Sequence, residues 1–222
     1  MTGPRVAGVL LAAGMGRRFG GPKALADSGD GPWVLRALTT LDGLEPRIVV
    51  IGAEADRVRA LLPGGVVAVD NPDFSSGMGS SLIAGLRALE ALPVDAAVIM
   101  LVDLPDVPAA AIERVVAAAR RAGGATVSIE CDEDRAPSDG PGASAFDEGG
   151  VIPALRQSLA RATFHGRSGH PVLIGADHFA GVIESAGGDR GARDYLAAHP
   201  VMAVECGDLA GGQDVDRNPS GV

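Results

Sequence analysis

The sequence is poor in cysteine and aromatic residues and contains no long apolar run. Its two cysteines, Cys131 and Cys206, lie far apart and outside any C-x-x-C pair, so neither a disulfide framework nor a zinc site is indicated. No apolar run approaches the ~20 residues that span a bilayer. The first residues lack the cationic and apolar segments of a signal peptide. We therefore expect a cytoplasmic protein without a membrane partner.

Positive charge is also in deficit. The net charge of −9 argues against a nucleic-acid partner, because backbone binding requires a basic face. A length of 222 residues with 46% hydrophobic and 3% aromatic residues is typical of one sizeable globular domain, which we expect to span residues 1–222. Residues 131–150 are rich in acidic residues, Gly, Ser and Pro, which predicts a flexible insertion loop within that domain.

Short apolar runs alternate with helical stretches along the chain. The predicted strands span residues 5–12, 47–51, 66–69, 97–102, 126–129, 171–174 and 202–205. The predicted helices span residues 33–41, 80–92, 109–122 and 153–162. This alternation predicts the α/β class, with a doubly wound, mostly parallel, Rossmann-like sheet and helices on both faces in a three-layer sandwich.

A glycine-rich loop with three cations follows the first predicted strand. Its notable residues are Gly14, Gly16, Gly20 and Gly21 together with Arg17, Arg18 and Lys23. Glycines allow backbone N–H groups to approach an anion without an intervening side chain. Several full positive charges suit several phosphate groups rather than one. The loop therefore predicts a nucleoside triphosphate site.

The two common phosphate-binding patterns do not fit this loop. Phe19 occupies the place of the third glycine in G-x-G-x-x-G. Pro22 stands where a P-loop requires lysine, and no Ser or Thr follows Lys23. An ordinary solvated turn requires fewer glycines and cations than this loop contains. We therefore expect another class of phosphate-binding site, and a surface turn with solvated arginines is the alternative.

Residues 11–20 read L-A-A-G-M-G-R-R-F-G and are soon followed by Lys23. This run resembles the L-A-[AG]-G-x-[SG]-x-R-[MF]-G signature of nucleotidyltransferases that act on sugar-1-phosphates, methylerythritol phosphate and molybdopterin. The resemblance implies that Arg18 and Lys23 grip the triphosphate and act in catalysis. It further implies that the base and phosphates are held along the backbone by Leu11, Ala12, Ala13, Gly14 and Gly16.

Asp103 follows the apolar run 98–102, which predicts a position at the carboxyl edge of a central strand. Its carboxylate suits Mg²⁺, although an aspartate ahead of Pro105 can also cap a helix. The resembling enzymes carry D-x-P here and use its aspartate for the metal, which implies Mg²⁺ as cofactor and a catalytic Asp103. Their terminal D-[IV]-D-T-P-x-D motif resembles the D-V-D of Asp214 and Asp216 without the threonine. It implies Asp216 as the second metal ligand, and a merely solvated acidic tail is the alternative.

Residues 71–82 form a loop rich in Ser and Gly ahead of a predicted helix, a place suited to anions. They resemble the N-P-D-W…G-M-x-x-S-L element of molybdenum cofactor cytidylyltransferases, with Phe74 in place of tryptophan. The resemblance implies CTP rather than GTP, since Ala13 replaces a glycine common in the guanylyltransferase relatives. It adds four nucleotide-binding residues: Asn71, Pro72, Asp73 and Ser80. An ordinary strand-to-helix loop with a serine cap is the alternative.

Two further elements resemble the acceptor side of the same family, G-H-P-V-L at residues 169–173 and G-D-x-G-A-R at 188–193. They imply that His170, Asp189 and Arg193 bind the acceptor. A structural histidine at a strand start is the alternative for His170, and an ion pair with Asp189 is the alternative for Arg193. Residues 131–168 align with nothing in the family pattern.

By these motifs the chain is identified as a member of the molybdenum cofactor cytidylyltransferase family, the MobA-like nucleotidyltransferases. The resemblance implies Mg²⁺-dependent transfer of CMP from CTP to the phosphate of molybdopterin, with release of pyrophosphate. A molybdoenzyme or its chaperone is then the candidate protein partner. One alternative is a guanylyl- or other nucleotidyltransferase of the same fold with a different phosphate acceptor. The other is a non-catalytic protein that binds nucleotide or delivers the cofactor.

Overall fold

A seven-stranded sheet lies at the centre of the described part of the chain. The structure is a computed structural model that describes residues 3–122 and 155–215. The strands are β1 (Val6–Leu11), β2 (Arg47–Ile51), β3 (Val66–Asp70), β4 (Ala96–Leu101), β5 (Leu159–Phe164), β6 (Arg167–Gly175) and β7 (Met202–Glu205). Their order is β3-β2-β1-β4-β6-β5-β7. The first four strands are mutually parallel, whereas β6 runs antiparallel to both β4 and β5. The predicted mostly parallel sheet is confirmed.

The central strands are continuous apolar segments because both of their faces are covered. Every residue of β1 is buried, as are the last four residues of β2 and the first five of β4. Parallel strands buried on both faces typically have this composition. A row of Val, Ile, Leu and Ala side chains therefore supplies most of the core, despite the shortage of aromatic residues.

Six α-helices among the described residues cover the two faces of the sheet. They are α1 (Trp33–Thr39), α2 (Ala55–Leu61), α3 (Met78–Arg87), α4 (Ala109–Ala122), α5 (Phe179–Ser185) and α6 (Arg193–Ala197). Helices α1, α2 and α4 contribute to one buried apolar cluster. Helices α3, α5 and α6 contribute to the other, on the opposite face. The result is the three-layer arrangement that the sequence pattern predicts.

Helix α3 packs closely against the centre of the sheet through a glycine. A Cβ atom added at Gly85 would lie 2.7 Å from Cγ1 of Val9 and 3.2 Å from Cγ2 of Val50. Real Cβ atoms do not approach so closely, so only glycine permits this helix position. The close packing holds the first turn of α3 above the carboxyl end of β1.

One predicted element is wrong and several bounds differ. The helix predicted over residues 153–162 is wrong from Leu159 onward, because Leu159–Phe164 is strand β5. Its apolar side chains suit a strand whose two faces are both covered by helices better than they suit a helix with only one buried face. The helix predicted at 80–92 begins earlier and ends at Arg87. The predicted strand 126–129, Cys131 and the predicted loop 131–150 lie outside the described residues.

The chain reverses its direction of travel across the sheet between β1 and β4. From β1 it proceeds outward to β2 and β3, and then returns to place β4 on the other side of β1. In open α/β sheets the crevice at such a switch point, beyond the carboxyl ends of the strands, is the usual ligand site. None of the helices in the described ranges is long and apolar enough to cross a membrane.

Candidate active site

The glycine loop after β1 is tightly folded around Gly16. The carbonyl oxygen of Gly16 accepts hydrogen bonds from the N–H groups of Phe19, Gly20 and Gly21 at 2.9–3.1 Å. Gly16 has φ +56°, and an added Cβ would lie 1.9 Å from the Gly21 oxygen. A side chain at this position is therefore excluded on both conformational and steric grounds. The fold turns the chain back and brings Lys23 over the end of the sheet.

Lys23 meets Asp103 at the switch point. The Lys23 Nζ lies 2.9 Å from Oδ2 of Asp103, and the two side chains are 14% and 20% exposed. Lys23 follows the glycine loop and Asp103 follows β4, so each is placed by one of the two central strands. The pair combines a cation suited to phosphate oxygens with a carboxylate suited to a divalent cation. Lys23 is also the only lysine in the chain.

A cavity of about 410 Å³ opens beside this pair. Of the residues predicted to bind nucleotide, five line it: Leu11, Ala13, Gly14, Gly16 and Lys23. Ala12 lies beneath the wall, where it is buried and its N–H donates to the Val50 oxygen at 2.9 Å. Arg17 lines the cavity, whereas Arg18 lies with Arg17 and Lys23 around a smaller pocket of about 230 Å³. Arg17 is thus the nearer of the two neighbouring arginines to the main cavity.

The loop from residue 71 to 81 forms the opposite wall. Asn71 is buried, and its Nδ2 donates to Oγ of Ser80 at 2.9 Å and of Ser81 at 3.0 Å. Its Oδ1 accepts the Asp73 N–H at 3.0 Å, so Asn71 spans the loop and ties it to the start of α3. Pro72 and Asp73 are exposed on the turn. The described residues that this loop presents to the cavity are Phe74, Ser75, Gly77, Met78 and Ser81.

Phe74 and Ala13 narrow one end of the cavity. A Cβ added at Gly52 would lie 2.7 Å from Cβ of Phe74 and 2.9 Å from Cβ of Ala13. Both residues line the cavity, so the ring and the methyl group converge where the loops after β1, β2 and β3 meet. The Ala13 methyl group and the Phe74 ring therefore bound this end of the cavity.

A second, smaller cavity adjoins the first. It has a volume of about 120 Å³ and shares Met78 and Asp189 with the larger one. The predicted acceptor residues His170 and Arg193 line it. Among the described residues no ion pair joins Arg193 to Asp189, the alternative considered from sequence. The three predicted acceptor residues are therefore brought together next to the predicted nucleotide cavity.

The second cavity also contains a residue that the sequence did not predict. Arg161 on β5 lines it, and the pKa of its guanidinium is lowered by burial and, next, by the charge of Arg193. Burial, followed by the Arg161 charge, lowers the pKa of His170 to about 4, so the imidazole is neutral at pH 7. Arg161 escaped prediction because it lies in the segment expected to be an amphipathic helix, where an arginine needs no special explanation.

The predicted metal ligands are only partly within the described chain. No group of three or more His, Cys, Asp or Glu that could hold a metal is found in residues 3–122 and 155–215. The Val215 N–H donates to the Asp103 backbone oxygen at 3.1 Å, and Asp214 is exposed. Asp216 follows immediately but lies outside the described residues. The Asp103 carboxylate is a hard oxygen donor that, with phosphate oxygens, fits Mg²⁺.

The chain approaching Asp103 from its C-terminal side is anchored by a second aspartate. Oδ2 of Asp106 accepts the N–H groups of Gly211 and Gly212 at 3.0 and 3.1 Å. Gly212 has φ +63°, a conformation that favours glycine. Asp106 thus holds the segment that leads to Val215. The two aspartates of the D-x-P-D sequence therefore have different contacts, since Asp103 pairs with Lys23 and Asp106 anchors residues 211–212.

A sheet of order 3-2-1-4-6-5-7, with a glycine loop and a carboxylate at its switch point, defines a nucleotide-handling α/β enzyme. Comparison with protein families makes the assignment specific. Residues 8–203 match the MobA-like NTP transferase domain, so the chain belongs to that family of nucleotidyltransferases. The MobA-like nucleotidyltransferase family predicted from the motifs is confirmed, whereas its cytidylyl specificity stays a prediction.

The relatives differ in their activities. Nicotine blue oxidoreductase of Paenarthrobacter nicotinovorans is 34% identical over 96% of this chain and 93% of its own length. A molybdenum cofactor guanylyltransferase of Rhodobacter capsulatus is 37% identical over 52% of this chain and 60% of its own. This molybdenum cofactor relative is named a guanylyltransferase rather than a cytidylyltransferase, and CTP stays a prediction for this chain.

Solved structures agree with the fold. A homologue of Mycobacterium tuberculosis Rv0371c, from Mycobacterium sp. strain JC1, has a TM-score of 0.68 and 25% identity, covering 96% of this chain and 91% of its own. Rv0371c itself in complex with manganese has a TM-score of 0.62 and 21% identity, covering 92% and 89%. That neighbour with the same fold therefore accepts a divalent metal.

Proposed function

We propose that this protein transfers CMP from CTP to the phosphate of a molybdopterin-type acceptor, with Mg²⁺ as cofactor and pyrophosphate as the leaving group. The observation that carries the proposal is the Lys23–Asp103 pair at the edge of the 410 Å³ cavity. A cation and a carboxylate at one switch point are the two groups that a metal–triphosphate complex requires from its protein.

The proposed reaction requires charge neutralisation more than proton transfer. An oxygen of the acceptor phosphate, already anionic at neutral pH, attacks the α-phosphorus of CTP as the bond to pyrophosphate breaks. Lys23 and Arg17 would bind the departing phosphates, and the backbone of the glycine loop would orient them. Mg²⁺, when bound, would neutralise phosphate charge, with Asp103 and the predicted second ligand Asp216 holding it. Catalysis would then come from positioning and electrostatic stabilisation.

The choice of CTP is supported by the narrow end of the cavity. The Ala13 methyl group faces Phe74 across Gly52, which leaves less room for a purine than glycine at position 13 would. Such a steric contribution is modest, because one methyl group in a pocket discriminates by only ~1–3 kcal/mol. The specificity is therefore expected to be a preference that a single substitution can weaken.

Competition between equal concentrations of CTP and GTP tests this proposal. Wild-type protein with Mg²⁺ and molybdopterin should form mostly the cytosine dinucleotide, measured by mass spectrometry. Ala13→Gly should increase the ratio of guanine to cytosine product, whereas Ala12→Gly should leave the ratio unchanged. Ala12 is the matched control because it is equally buried but belongs to the opposite face of the sheet. Equal incorporation of GMP by the wild type would contradict the cytidylyl assignment.

A second candidate function is an oxidoreductase activity. The relative that spans nearly this whole chain at 34% identity is named for the reduction or oxidation of nicotine blue. The discriminating assay follows two signals in parallel: pyrophosphate release from CTP in the presence of Mg²⁺ and molybdopterin, and the absorbance of nicotine blue with NADH or NADPH as donor. Dye reduction without pyrophosphate release would replace the transferase proposal. Nucleotide binding with neither signal would favour the cofactor-delivery alternative.

A further inference from the structure

The small cavity beside the nucleotide cavity contains an unusual concentration of positive charge. Arg161, Arg190 and Arg193 line it together with the neutral His170, and Asp189 is the one carboxylate on the described wall. Arg190 pairs with Asp194 at 3.3 Å. In the described part of the chain neither Arg161 nor Arg193 forms an ion pair with a carboxylate. Of the three guanidinium groups, those of Arg161 and Arg193 therefore line the cavity of about 120 Å³ without a carboxylate partner among the described residues.

Arg161 is the more constrained of the two. It lies opposite Val172 in the β5–β6 ladder, immediately before the irregularity in that register. Its Nε is buried and has no hydrogen-bond acceptor among the residues that the structure describes. Burial and the nearby charge of Arg193 lower the pKa of Arg161. A buried donor without an acceptor costs stability, so the fold retains the half-buried Arg161 at a cost that an anion in the cavity would offset.

The shape of the cavity restricts the anion. Its remaining wall is apolar and includes Ile99, Val172 and Leu196. Met78 and Asp189 border both cavities, so a group held by Arg161 lies directly beside the nucleotide cavity. Planar guanidinium groups bind tetrahedral oxyanions with paired hydrogen bonds, and neutral His170 can add a hydrogen bond without a further charge.

We propose that Arg161, together with Arg193, binds the phosphate of the acceptor and thereby restricts the acceptor to phosphate monoesters. This inference rests on the transferase proposal and adds a residue that no motif indicated. The two arginines hold a dianionic phosphate at the border between the cavities, where one of its oxygens faces the nucleotide. Arg161 is a binding residue for the acceptor, and its loss raises the KM for the acceptor more than it lowers kcat.

Calorimetric titration with phenyl phosphate, a simple phosphate monoester, tests the site without the natural acceptor. The wild type is compared with Arg161→Gln and with the matched control Arg167→Gln. Arg167 is exposed on the adjacent strand β6 and outside both cavities, so its replacement removes the same charge from a neighbouring surface. We expect Arg161→Gln to weaken phenyl phosphate binding at least about tenfold and Arg167→Gln by less than about twofold.

Two further measurements distinguish acceptor binding from a structural role. Arg161→Gln should raise the melting temperature, because it removes a partly desolvated cation whose Nε has no acceptor in the described part of the chain; a lower melting temperature would indicate a structural residue. It should also raise the His170 pKa measured by NMR, because the Arg161 charge lowers that pKa.

The outcomes separate this inference from the proposed function. Failure of the wild type to bind phenyl phosphate, or equal binding by Arg161→Gln, overturns the role of Arg161 even if CTP is used normally. Loss of phenyl phosphate binding in Arg161→Gln supports the site. If the wild type then releases no pyrophosphate from CTP when Mg²⁺ and molybdopterin are supplied, the transferase proposal falls and the anion site remains.

Discussion

Lys23 and Asp103 are separated by 80 positions in the chain, yet their side chains form a 2.9 Å ion pair. Each residue was predicted from its own motif, and neither motif contains the other residue. Their contact arises because β1 and β4 are adjacent parallel strands whose carboxyl ends meet. At the scale of single residues, the candidate site depends on which strands are neighbours.

Lys23 is the best residue for testing the site, because it is the only lysine in the sequence. Lys23→Ala should reduce nucleotidyl transfer at least about tenfold, equivalent to ~1.4 kcal/mol of transition-state stabilisation. Mild acetylation targets amines, so the Lys23 side chain should be the one side-chain amine that it modifies, in addition to the N-terminal amine. CTP with Mg²⁺ should protect Lys23 from acetylation, and peptide mass spectrometry measures the extent of modification. Normal turnover in Lys23→Ala, or acetylation unaffected by CTP, would remove Lys23 from the site.

His170 should make stability depend on pH. Its pKa of about 4 in the fold is below the ordinary value of 6.5, so the unfolded chain binds a proton more readily than the folded one. The stabilisation is complete above pH 6.5 and is lost as the pH falls toward 4. Urea unfolding of wild type and His170→Asn between these pH values should show a shallower pH dependence in the variant. His165→Asn, at an exposed position, is the control; identical slopes in all three proteins would contradict the prediction.

At the scale of elements, the start of α3 interlocks with the 3₁₀ turn Gly188–Arg190. A Cβ added at Gly79 would lie 2.8 Å from backbone atoms of Gly187. Gly77 has φ +114°, and an added Cβ there would lie 2.4 Å from the Gly188 carbonyl carbon. The turn carries Asp189, which borders both cavities. A glycine in the first turn of α3 and the glycine just before that helix thus position Asp189, a candidate site residue on the turn.

Gly79→Ala tests this contact. Alanine favours a helix interior over glycine by ~1 kcal/mol, so a merely helical role would stabilise the protein. We expect the opposite, a lower melting temperature and a higher KM for the acceptor, because the methyl group displaces the turn that carries Asp189. Gly187→Ala is the matched control, since an added Cβ there meets nothing within 4 Å and the backbone is extended. A stabilised Gly79→Ala variant with normal kinetics would show that the contact is not required.

At the scale of the whole molecule, the sheet has two parts with different strand directions. The parallel part, β3-β2-β1-β4, ends in the glycine loop and Asp103 and borders the larger cavity. The part with mixed directions, β6-β5-β7, contributes His170 and Arg161 to the smaller cavity. The larger cavity thus lies at the parallel part of the sheet, and the smaller one lies where Ile99 of the parallel part meets Arg161 and His170 of the other part.

Hydrogen exchange should show this division. Amides of β1 and β4 should exchange only through global unfolding, because both strands are paired on both sides and almost wholly buried. CTP with Mg²⁺ should protect residues 12–23 and 74–81, and phenyl phosphate should protect residues 161–170. Saturation at 100 times Kd should add ~2.7 kcal/mol to the free energy of unfolding. Protection of the same residues by both ligands would contradict separate binding sites.

The local sequence was sufficient to predict those elements whose formation depends on contiguous residues. The strands β1, β2 and β4 were predicted nearly to their observed ends because continuous apolar runs of that length suit strands buried on both faces. Helix α4 was predicted with its observed bounds from its alanine-rich composition and from Arg120 and Arg121 at its C-terminal end. The glycine loop was recognisable because Gly16 has a backbone geometry and a contact that only glycine tolerates.

The tertiary structure alone decided the strand β5 and its arginine. The segment containing Leu159–Phe164 has apolar residues at spacings that suit a helix as well as a strand, and only its pairing with both β6 and β7 selects the strand. That pairing brings Arg161 beside His170 and Arg193 in one cavity. The sequence by itself determined the family and the glycine-rich loop, since the motifs that define both consist of contiguous residues. The grouping of charges around the second cavity was decided by packing, because burial and the distance between charges exist only in the folded chain.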